Sequence, residues 1–587
     1  MPTRLLVPSS ETRRYRRASA LDERPAPRFR RRVPSLRSVR ILEFLVVGLL
    51  VMGFLVVPSV DAQTLEIDPE LWWTATAPGV ALHTNSDPQR GLEVALALAR
   101  FRAVFAQLAP DLELRSPAPT TILAFRDATD YAPFKTRPDR EGARILGQFL
   151  AHGDGSWLTL DAGTRLAGSY AVIFHETVHY FVRHNFPRVP LWFNEGLAEY
   201  YSTFESDGDR VRLGGAVERH LEYLSRDGNF ELSTILEART DSATYHEPGE
   251  VGRFYALSWL LVHYLLSGDG DRIDRTADLL ARLAAGDDPE DALAQAFDLG
   301  LGELEEALAE HLVALPAPIQ LDVADLPGPE SVRARRLAAA DLFAHLGDVA
   351  GLVGRRRFAE DLYDRALVRV PDHAGALGGL AFLRDLAGRH DEAGVLYGDL
   401  EDRPGNRKWP RAFLGHGRHL VARAGGQPPE VRDARLDLAR GRLETALELY
   451  PDYGEAWFLL GTCELLAEEP HRQGVRALER AHALLPARSD VVSNLARLHA
   501  RRGEAAPARR WVEGELSVFG DSELVEKTRD EVERLLLVWA AAQAMADDEI
   551  DEALGLFDQA IEYARDPRVR EAMEAQLLAL QEAAESQ

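Results

Sequence analysis

The segment "SYAVIFHETVHYFVRHNF" (169–186) holds two histidines four residues apart, with a glutamate directly after the first. Residues i and i+4 lie on one face of an α-helix, so His175 and His179 can both present an imidazole to one metal ion. Glu176 lies about 100° further round the helix, where its carboxylate can reach a water molecule on that ion without binding the ion. The spacing therefore predicts a metal centre with a base beside it.

The next segment, "FPRVPLWFNEGLAEYY" (186–201), offers the further groups that such a centre needs. Catalytic zinc takes three protein ligands and keeps a fourth position open. If a short loop joins two helices here, Glu195 can fold back onto the ion, sixteen residues after His179. Glu199, one turn further along the same face, can accept a hydrogen bond from a histidine ligand and fix its tautomer. Apolar neighbours predict that the first helix is buried: Val172, Ile173, Phe174, Val178, Tyr180 and Phe181.

The pattern H-E-x-x-H followed by N-E-G-x-A resembles that of the gluzincin metallopeptidases, the group of thermolysin and aminopeptidase N. It is more closely similar to the bacterial peptidase MA-like domains, which carry P-x-W-x-x-E-G-x-A-E-Y. The resemblance covers residues 80–313, and its specific motifs occupy 175–201. It implies a zincin-like α+β metallopeptidase domain that hydrolyses peptide bonds.

The resemblance also implies roles for single residues. One Zn²⁺ ion would be held by His175, His179 and Glu195, with Glu176 as general base and later proton donor. Glu199 has the offset at which thermolysin-type enzymes place an acid that orients a histidine ligand. The gap after His179 is a few residues shorter than in the aminopeptidases and no G-x-M-E-N motif precedes the helix, so aminopeptidase activity is not expected. A structural or inactive zinc site is the alternative.

Gluzincins also stabilise the tetrahedral oxyanion with a tyrosine or histidine donor. The segment "TYHEPGEVGRFYALSWLLVHYLL" (244–266) offers Tyr245, His246 and Tyr255 for this role. Tyr255 is preferred, because similar domains carry a tyrosine just ahead of an apolar helix at this point. A core aromatic at the start of that helix is the alternative for Tyr255. The other histidines upstream and downstream of the site lack a partnered spacing and are expected at the surface or in the core: His152, His220 and His263.

Short β-branched or aromatic segments beside turn residues predict strands at 120–125 and 156–162. Helical apolar spacing predicts helices over 91–109 and 170–184. By analogy with the family, the strand at 156–162 is expected to be the sheet edge to which an extended peptide adds as a further strand.

Beyond residue 335 the chain repeats a pattern of alanines and aromatics with a period of about 34 residues. The copies are Ala359-x3-Tyr363-x2-Ala366-x4-Pro371, Ala393-x3-Tyr397, Ala446-x4-Pro451, Ala481-x4-Pro486 and Ala553-x3-Phe557-x2-Ala560, with Trp457-x2-Leu460-Gly461 after the third. Small alanines let one helix lie close to the next, while the aromatic fills the gap between repeats. The pattern resembles that of tetratricopeptide repeat (TPR) proteins over most of 335–587 and implies an all-α solenoid that binds a protein partner or substrate. A generic Ala/Leu-rich helical bundle is the alternative.

Charge is spread unevenly over the 587 residues. Residues 1–62 carry twelve arginines against five acidic residues, so the rest has a net charge of about −32, given −25 for the whole chain. This argues against a nucleic-acid partner. The one cysteine, Cys463, excludes an intrachain disulfide framework.

The N-terminus has the features of a signal peptide. Fourteen apolar residues (44–57) follow the basic segment and precede small residues at Val60 and Ala62, which predicts cleavage after Ala62 and export to the periplasm or the medium. An uncleaved membrane anchor over 41–57 is the alternative.

The sequence therefore predicts four parts of the chain, with boundaries at 1–62 (basic segment and signal peptide), 63–314 (peptidase MA-like domain), 315–331 (Pro-rich linker) and 332–587 (TPR domain). The predicted function is that of an exported zinc metallopeptidase whose TPR domain binds a protein partner or substrate. The alternative function is that of a non-catalytic TPR adaptor with an inactive or structural zinc site.

Overall fold

The protein is described by a computed structural model. The described residues are 66–108, 110, 114, 116–136, 145–163, 166–185, 189–227, 230–238, 250–267, 270–400, 402–468 and 472–585. The predicted basic segment and the signal peptide or anchor, residues 1–62, lie outside the described residues. No helix among the described residues is long and apolar enough to cross a membrane.

A mixed six-stranded sheet lies at the centre of the N-terminal region. Its strands are β1 (Trp73–Ala77), β2 (Val80–Thr84), β3 (Thr120–Phe125), β4 (Gly147–His152), β5 (Gly155–Asp161) and β9 (Arg333–Arg336), in the order β4-β5-β3-β2-β1-β9. Strands β2, β3 and β5 are parallel to one another, while the other neighbours pair antiparallel. Helix α1 (Pro88–Leu108) connects β2 to β3. The strands predicted at 120–125 and 156–162 and the helix predicted at 91–109 are thus confirmed.

The prediction that 156–162 is the sheet edge is wrong. Strand β5 pairs with β3 on one side and with β4 on the other, and all seven of its residues are buried. A strand buried along its whole length needs neighbours on both edges to satisfy its backbone groups. The edge next to β5 is formed by β4 instead, which sequence spacing did not identify, and the other edge is formed by β9.

Helices and a small sheet complete this region. The helices are α2 (Ala128–Tyr131), α3 (Leu166–Asn185), α4 (Leu191–Ser202), α5 (Glu218–Asp227), α6 (Ser233–Leu236), α7 (Glu250–Leu266), α8 (Gly270–Ala285), α9 (Pro289–Phe297) and α10 (Leu301–Val313). The small sheet has the order β6 (Glu205–Asp207), β7 (Arg210–Leu213), β8 (Ile319–Asp322). Strand β8 lies inside the segment 315–331 that was expected to be a linker, so part of that segment is held in the sheet by its pairing with β7.

Aromatic side chains anchor α3, which contains the helix predicted at 170–184. Phe174 and Phe181 stack on Phe101 of α1, with ring centroids 4.7 and 6.4 Å apart. Tyr201 of α4 packs against Phe105 of α1 at 4.7 Å. This apolar cluster fixes one face of α3 and α4 and leaves the opposite face of α3 for polar side chains.

The C-terminal region is an array of helical hairpins. Its helices are α11 (Ala339–Leu352), α12 (Arg356–Arg369), α13 (Ala374–Leu386), α14 (His390–Gly398), α15 (Pro410–Ala422), α16 (Pro429–Leu449), α17 (Gly454–Leu466), α18 (Arg472–Leu484), α19 (Ser489–Arg501), α20 (Ala505–Arg510), α21 (Ser522–Ala546), α22 (Ile550–Glu562) and α23 (Pro567–Glu585). In the copy that begins at Ala359, the ring of Tyr363 lies against Gly347 and Gly379 on the neighbouring helices, where a Cβ would overlap it. The prediction of a TPR solenoid for this region is confirmed, while the zincin class of the N-terminal region stays a prediction.

Candidate metal centre

Helices α3 and α4 bring three predicted ligands together. The Nε2 atoms of His175 and His179 lie 3.0 Å apart. Glu195 Oε2 lies 3.6 Å from the first and 3.2 Å from the second. In the described part of the chain this is the one group of three or more His, Cys, Asp or Glu side chains whose ligand atoms lie close enough together for one ion.

The three atoms have the spacing of zinc ligands. Tetrahedral angles and Zn–N or Zn–O distances of about 2.0–2.1 Å place neighbouring ligand atoms about 3.3–3.4 Å apart. The observed separations of 3.0, 3.2 and 3.6 Å bracket that value. Two imidazoles and one carboxylate also form a donor set that zinc prefers. The residues therefore fit one zinc ion with an open fourth position.

The far side of each ring contacts an acceptor. His175 Nδ1 lies 3.4 Å from Glu199 Oε1, and His179 Nδ1 lies 3.1 Å from Asn194 Oδ1. A ring that donates from Nδ1 presents the lone pair of Nε2. Two such lone pairs would then converge on the same point as the Glu195 carboxylate, an arrangement that a cation stabilises. The predicted contact of Glu199 is present, whereas the role of Asn194 was not predicted.

The pKa values of His179 and Glu195 are shifted in opposite directions because their opposite charges lie close together. Burial by itself would lower the pKa of His179, but the charge of Glu195 and its hydrogen bond raise that pKa to about 9. Burial would likewise raise the pKa of Glu195, yet the charge of His179 and hydrogen bonds from both histidines hold it well below its usual range. Both shifts reflect the attraction between the Glu195 carboxylate and the two imidazoles.

Glu199 is held from two further directions. It accepts hydrogen bonds from Arg219 Nη2 at 2.6 Å and from His220 Nε2 at 2.9 Å, both on α5. Burial would raise the pKa of Glu199, but the hydrogen bond from His220 and the charge of His175 lower it to about 2. His220 was expected at the surface or in the core without a partner, and it is buried against this carboxylate. Its sequence spacing carried no signal, because α5 approaches α4 only in the folded chain.

Glu176 lies on the side of α3 that faces strand β4. A Cβ built on Gly147 would lie 3.9 Å from Glu176 Cγ and would overlap Val172 Cγ1. The charge of Glu176 is also among those that raise the pKa of His179. The predicted base is therefore next to the predicted ligands and to the last strand of the sheet.

Tyr255 also reaches this site. It lies on α7, partly buried, and the centroid of its ring is 6.3 Å from that of His175. The two other candidates for the oxyanion donor, Tyr245 and His246, lie outside the described residues. Of the remaining histidines, His263 contacts Ser267 and His311 away from the site.

A glycine sets the distance between α4 and α7. A Cβ on Gly196 would overlap the carbonyl oxygen of Ser258 on α7. The helices can approach this closely only because residue 196 has no side chain. Glu195, the residue before Gly196, therefore extends towards α3 from a helix whose position is fixed by tight packing.

Comparisons with known proteins find no matching protein family and no matching curated protein. Among solved structures, TTC0263, a thermophilic TPR protein of Thermus thermophilus, is 22% identical with a TM-score of 0.26 and covers 33% of this chain and 99% of its own. The pilF protein of Pseudomonas aeruginosa is 20% identical with a TM-score of 0.27, and the match covers 40% of this chain and 97% of the pilF chain. YrrB, described as a TPR protein with an unusual peptide-binding site, is 18% identical with a TM-score of 0.26, and the match covers 32% of this chain and 91% of the YrrB chain.

Proposed function

We propose that the protein is a zinc-dependent metallopeptidase, in which His175, His179 and Glu195 hold one zinc ion. The observation that carries this proposal is the convergence of three ligand atoms, 3.0–3.6 Å apart, next to the carboxylate of Glu176. A structural zinc site would need a fourth protein ligand, and in the described residues the cluster offers three.

The zinc ion, when bound, would act as a Lewis acid and lower the pKa of a water molecule at the open position. Glu176 would take the proton of the attacking water and pass it to the leaving amine. Tyr255 would donate a hydrogen bond to the oxygen of the scissile carbonyl as it gains charge. Glu199 and Asn194 would hold the two histidine rings in the tautomer that leaves Nε2 free to bind.

Strand β4 is the proposed binding edge for the substrate backbone. It is one of the two terminal strands of the sheet and the one that lies beside α3, so an extended peptide that adds to it would pass Glu176. Backbone hydrogen bonds to an edge strand bind a peptide with little regard to its sequence. The substrate class we propose is therefore an unfolded or extended polypeptide. Export to the periplasm or the medium remains our expectation for where this substrate is met.

The second candidate function is that of a non-catalytic TPR adaptor that carries an inactive or structural zinc site. It is favoured by the extent of the helical array, which runs over 339–585. Binding of a protein partner by the repeats is common to both candidates. Cleavage is the property that separates them.

The decisive experiment compares the chain from Gln63 onward with its Glu176→Gln variant. Zinc content and cleavage of unfolded casein and a mixed peptide library would be measured for both, with Glu222→Gln, an exposed glutamate on α5, as the control. We expect about one zinc per chain in all three proteins and a loss of cleavage of at least about a thousandfold in Glu176→Gln alone. Zinc without cleavage in the wild type would favour the adaptor, and a wild type without zinc would overturn the peptidase function.

A further inference from the structure

The turn between β4 and β5 is seated against the first helices of successive TPR hairpins. The ring of His152 lies 5.3 Å from that of Phe382 on α13. A Cβ on Gly153 would lie 3.4 Å from Glu455 Cδ on α17. Tyr453, just before α17, donates a hydrogen bond to the backbone oxygen of Asp154. His152, at the end of β4, and the turn residues Gly153 and Asp154 thus lie against the hairpins that begin with α13 and α17.

A buried ion pair lies at the centre of this contact. Asp154, whose side chain is 2% exposed, pairs with Arg418 of α15, whose side chain is 27% exposed. Glu455 Oε1 lies 3.9 Å from the same guanidinium, and Glu455 Oε2 also pairs with Arg488 at 2.7 Å. Burial would raise the pKa of Asp154, but the charge of Arg418 lowers it far below its usual range. Without Arg418, the buried carboxylate of Asp154 would lose its ion-pair partner and would keep only the longer-range attraction of Arg411, which is costly.

A second contact fixes the same end of the sheet. Tyr450 donates a hydrogen bond to the backbone oxygen of Ser116 at 2.8 Å. The backbone N–H of Gly454 donates to the oxygen of Pro117, also at 2.8 Å. The guanidinium of Arg411 lies 5.1 Å from the centre of the Trp157 ring on β5. The repeats therefore hold the loop before β3 as well as the β4–β5 turn.

The opposite end of β4 contacts the helix of the metal centre. Gly147 lies against Val172 and near Glu176 of α3. Phe149 packs against Tyr180 of the same helix, with ring centroids 5.6 Å apart. Strand β4 is thus fixed at one end by the repeats and along its length by α3. A shift of the turn would be transmitted along a strand of only six residues.

We propose that Arg418 is a positioning residue of the TPR array, which holds β4 beside α3 through Asp154 and so sets the register at which a peptide substrate adds to the sheet edge. The substrate part of this inference rests on the proposed peptidase function, whereas the positioning of β4 does not. The repeats then support the edge strand to which the substrate adds, in addition to binding a protein partner.

The test uses Arg418→Met, with Arg418→Lys as the conservative variant that keeps the charge. Hydrogen exchange of the amides of 147–152 is followed by mass spectrometry, together with zinc content, kcat and KM for unfolded casein. For Arg418→Met we expect exchange in β4 to be at least about tenfold faster and KM to rise about tenfold, with kcat and zinc content within about twofold of the wild type. Arg418→Lys should keep the exchange rate in β4 and the KM close to those of the wild type.

Arg440→Met is the matched control, because it breaks an ion pair of similar burial inside the repeats. Arg440 is 22% exposed and its partner Glu464 is 7% exposed. This variant should lower the melting temperature without changing exchange in β4. The inference would be overturned if the amides of β4 exchanged no faster in Arg418→Met than in the wild type. It would also be overturned if they exchanged equally fast in Arg418→Met and Arg440→Met. If the wild type does not cleave, the peptidase function fails, while the exchange data still decide whether Arg418 positions β4.

Discussion

Glu199 is the side chain that connects α4 and α5 to His175 of α3, a ligand of the proposed zinc ion. It lies on α4, contacts His175 of α3 at 3.4 Å and accepts hydrogen bonds from Arg219 and His220 of α5. A carboxylate in this position fixes the orientation of the imidazole and increases its basicity. The effect of Glu199 on the metal should therefore be indirect but large.

Replacement of Glu199 by Gln should weaken zinc binding by about 10–100-fold, because the neutral amide is a poorer acceptor for the ring of His175. The dissociation constant would be measured by competition with a chromophoric chelator. The exposed Glu205, replaced in the same way, is the control. Zinc affinity equal to that of the wild type would show that the orientation of His175 does not depend on this carboxylate.

At the scale of elements, the proposed metal centre depends on how closely α4 approaches α7. Glu195 is held by the backbone of α4, which is fixed on its other side by contact with Ser258. Packed interiors leave no room for an added methyl group at such a point. The site is therefore sensitive to changes that lie outside the ligand set.

Gly196→Ala should destabilise the protein by about 1–3 kcal/mol, because the new methyl group forces α4 away from α7. The same displacement should weaken zinc binding, since Glu195 is the adjacent residue. The free energy of unfolding in urea and the zinc dissociation constant would be measured together. Gly441→Ala is the control: it lies inside α16 with no atom within 4 Å of the new Cβ, so a stabilisation of about 0.4–1 kcal/mol is expected. This account of the packing would be contradicted if Gly196→Ala had the same free energy of unfolding and the same zinc affinity as the wild type.

At the scale of the whole molecule, the sheet and the repeats meet at two stacked histidines, of which His83 is buried and His345 is partly buried. His83 of β2 stacks on His345 of α11, with ring centroids 4.7 Å apart. Burial, assisted by the charge of Arg335 and opposed by that of Asp341, lowers the pKa of His83 to about 4. Burial and the neighbouring His83 also lower the pKa of His345. Both rings are therefore neutral in the folded protein at pH 7.

Acidification should weaken this junction. Between pH 6.5 and about 4 the unfolded chain binds a proton at residue 83 that the folded chain does not bind, so stability falls as the pH is lowered. For His83 alone the loss at pH 5 is about 2 kcal/mol relative to pH 7. In urea titrations at both pH values, His83→Gln should lose about 2 kcal/mol less than the wild type. Equal losses in the wild type and in His83→Gln would exclude His83 as the titrating group.

The sequence by itself determined the local chemistry of this protein. The spacing of His175, Glu176 and His179 placed them on one helix, because helical periodicity depends only on the local backbone. The 34-residue repeat predicted the TPR array, because each hairpin packs mainly on the hairpins next to it in sequence. The strand at 120–125 followed from its β-branched composition.

Only the tertiary structure decided which distant groups meet at the site. His220 reaches Glu199 because α5 folds onto α4, and no local pattern encodes that approach. The edge strand is β4 and not β5, since strand order is set by long-range pairing that a single strand does not reveal. The seating of Asp154 on Arg418 joins residues 264 positions apart. Such contacts depend on the packing of whole elements, which a sequence pattern with a period of a few residues does not record.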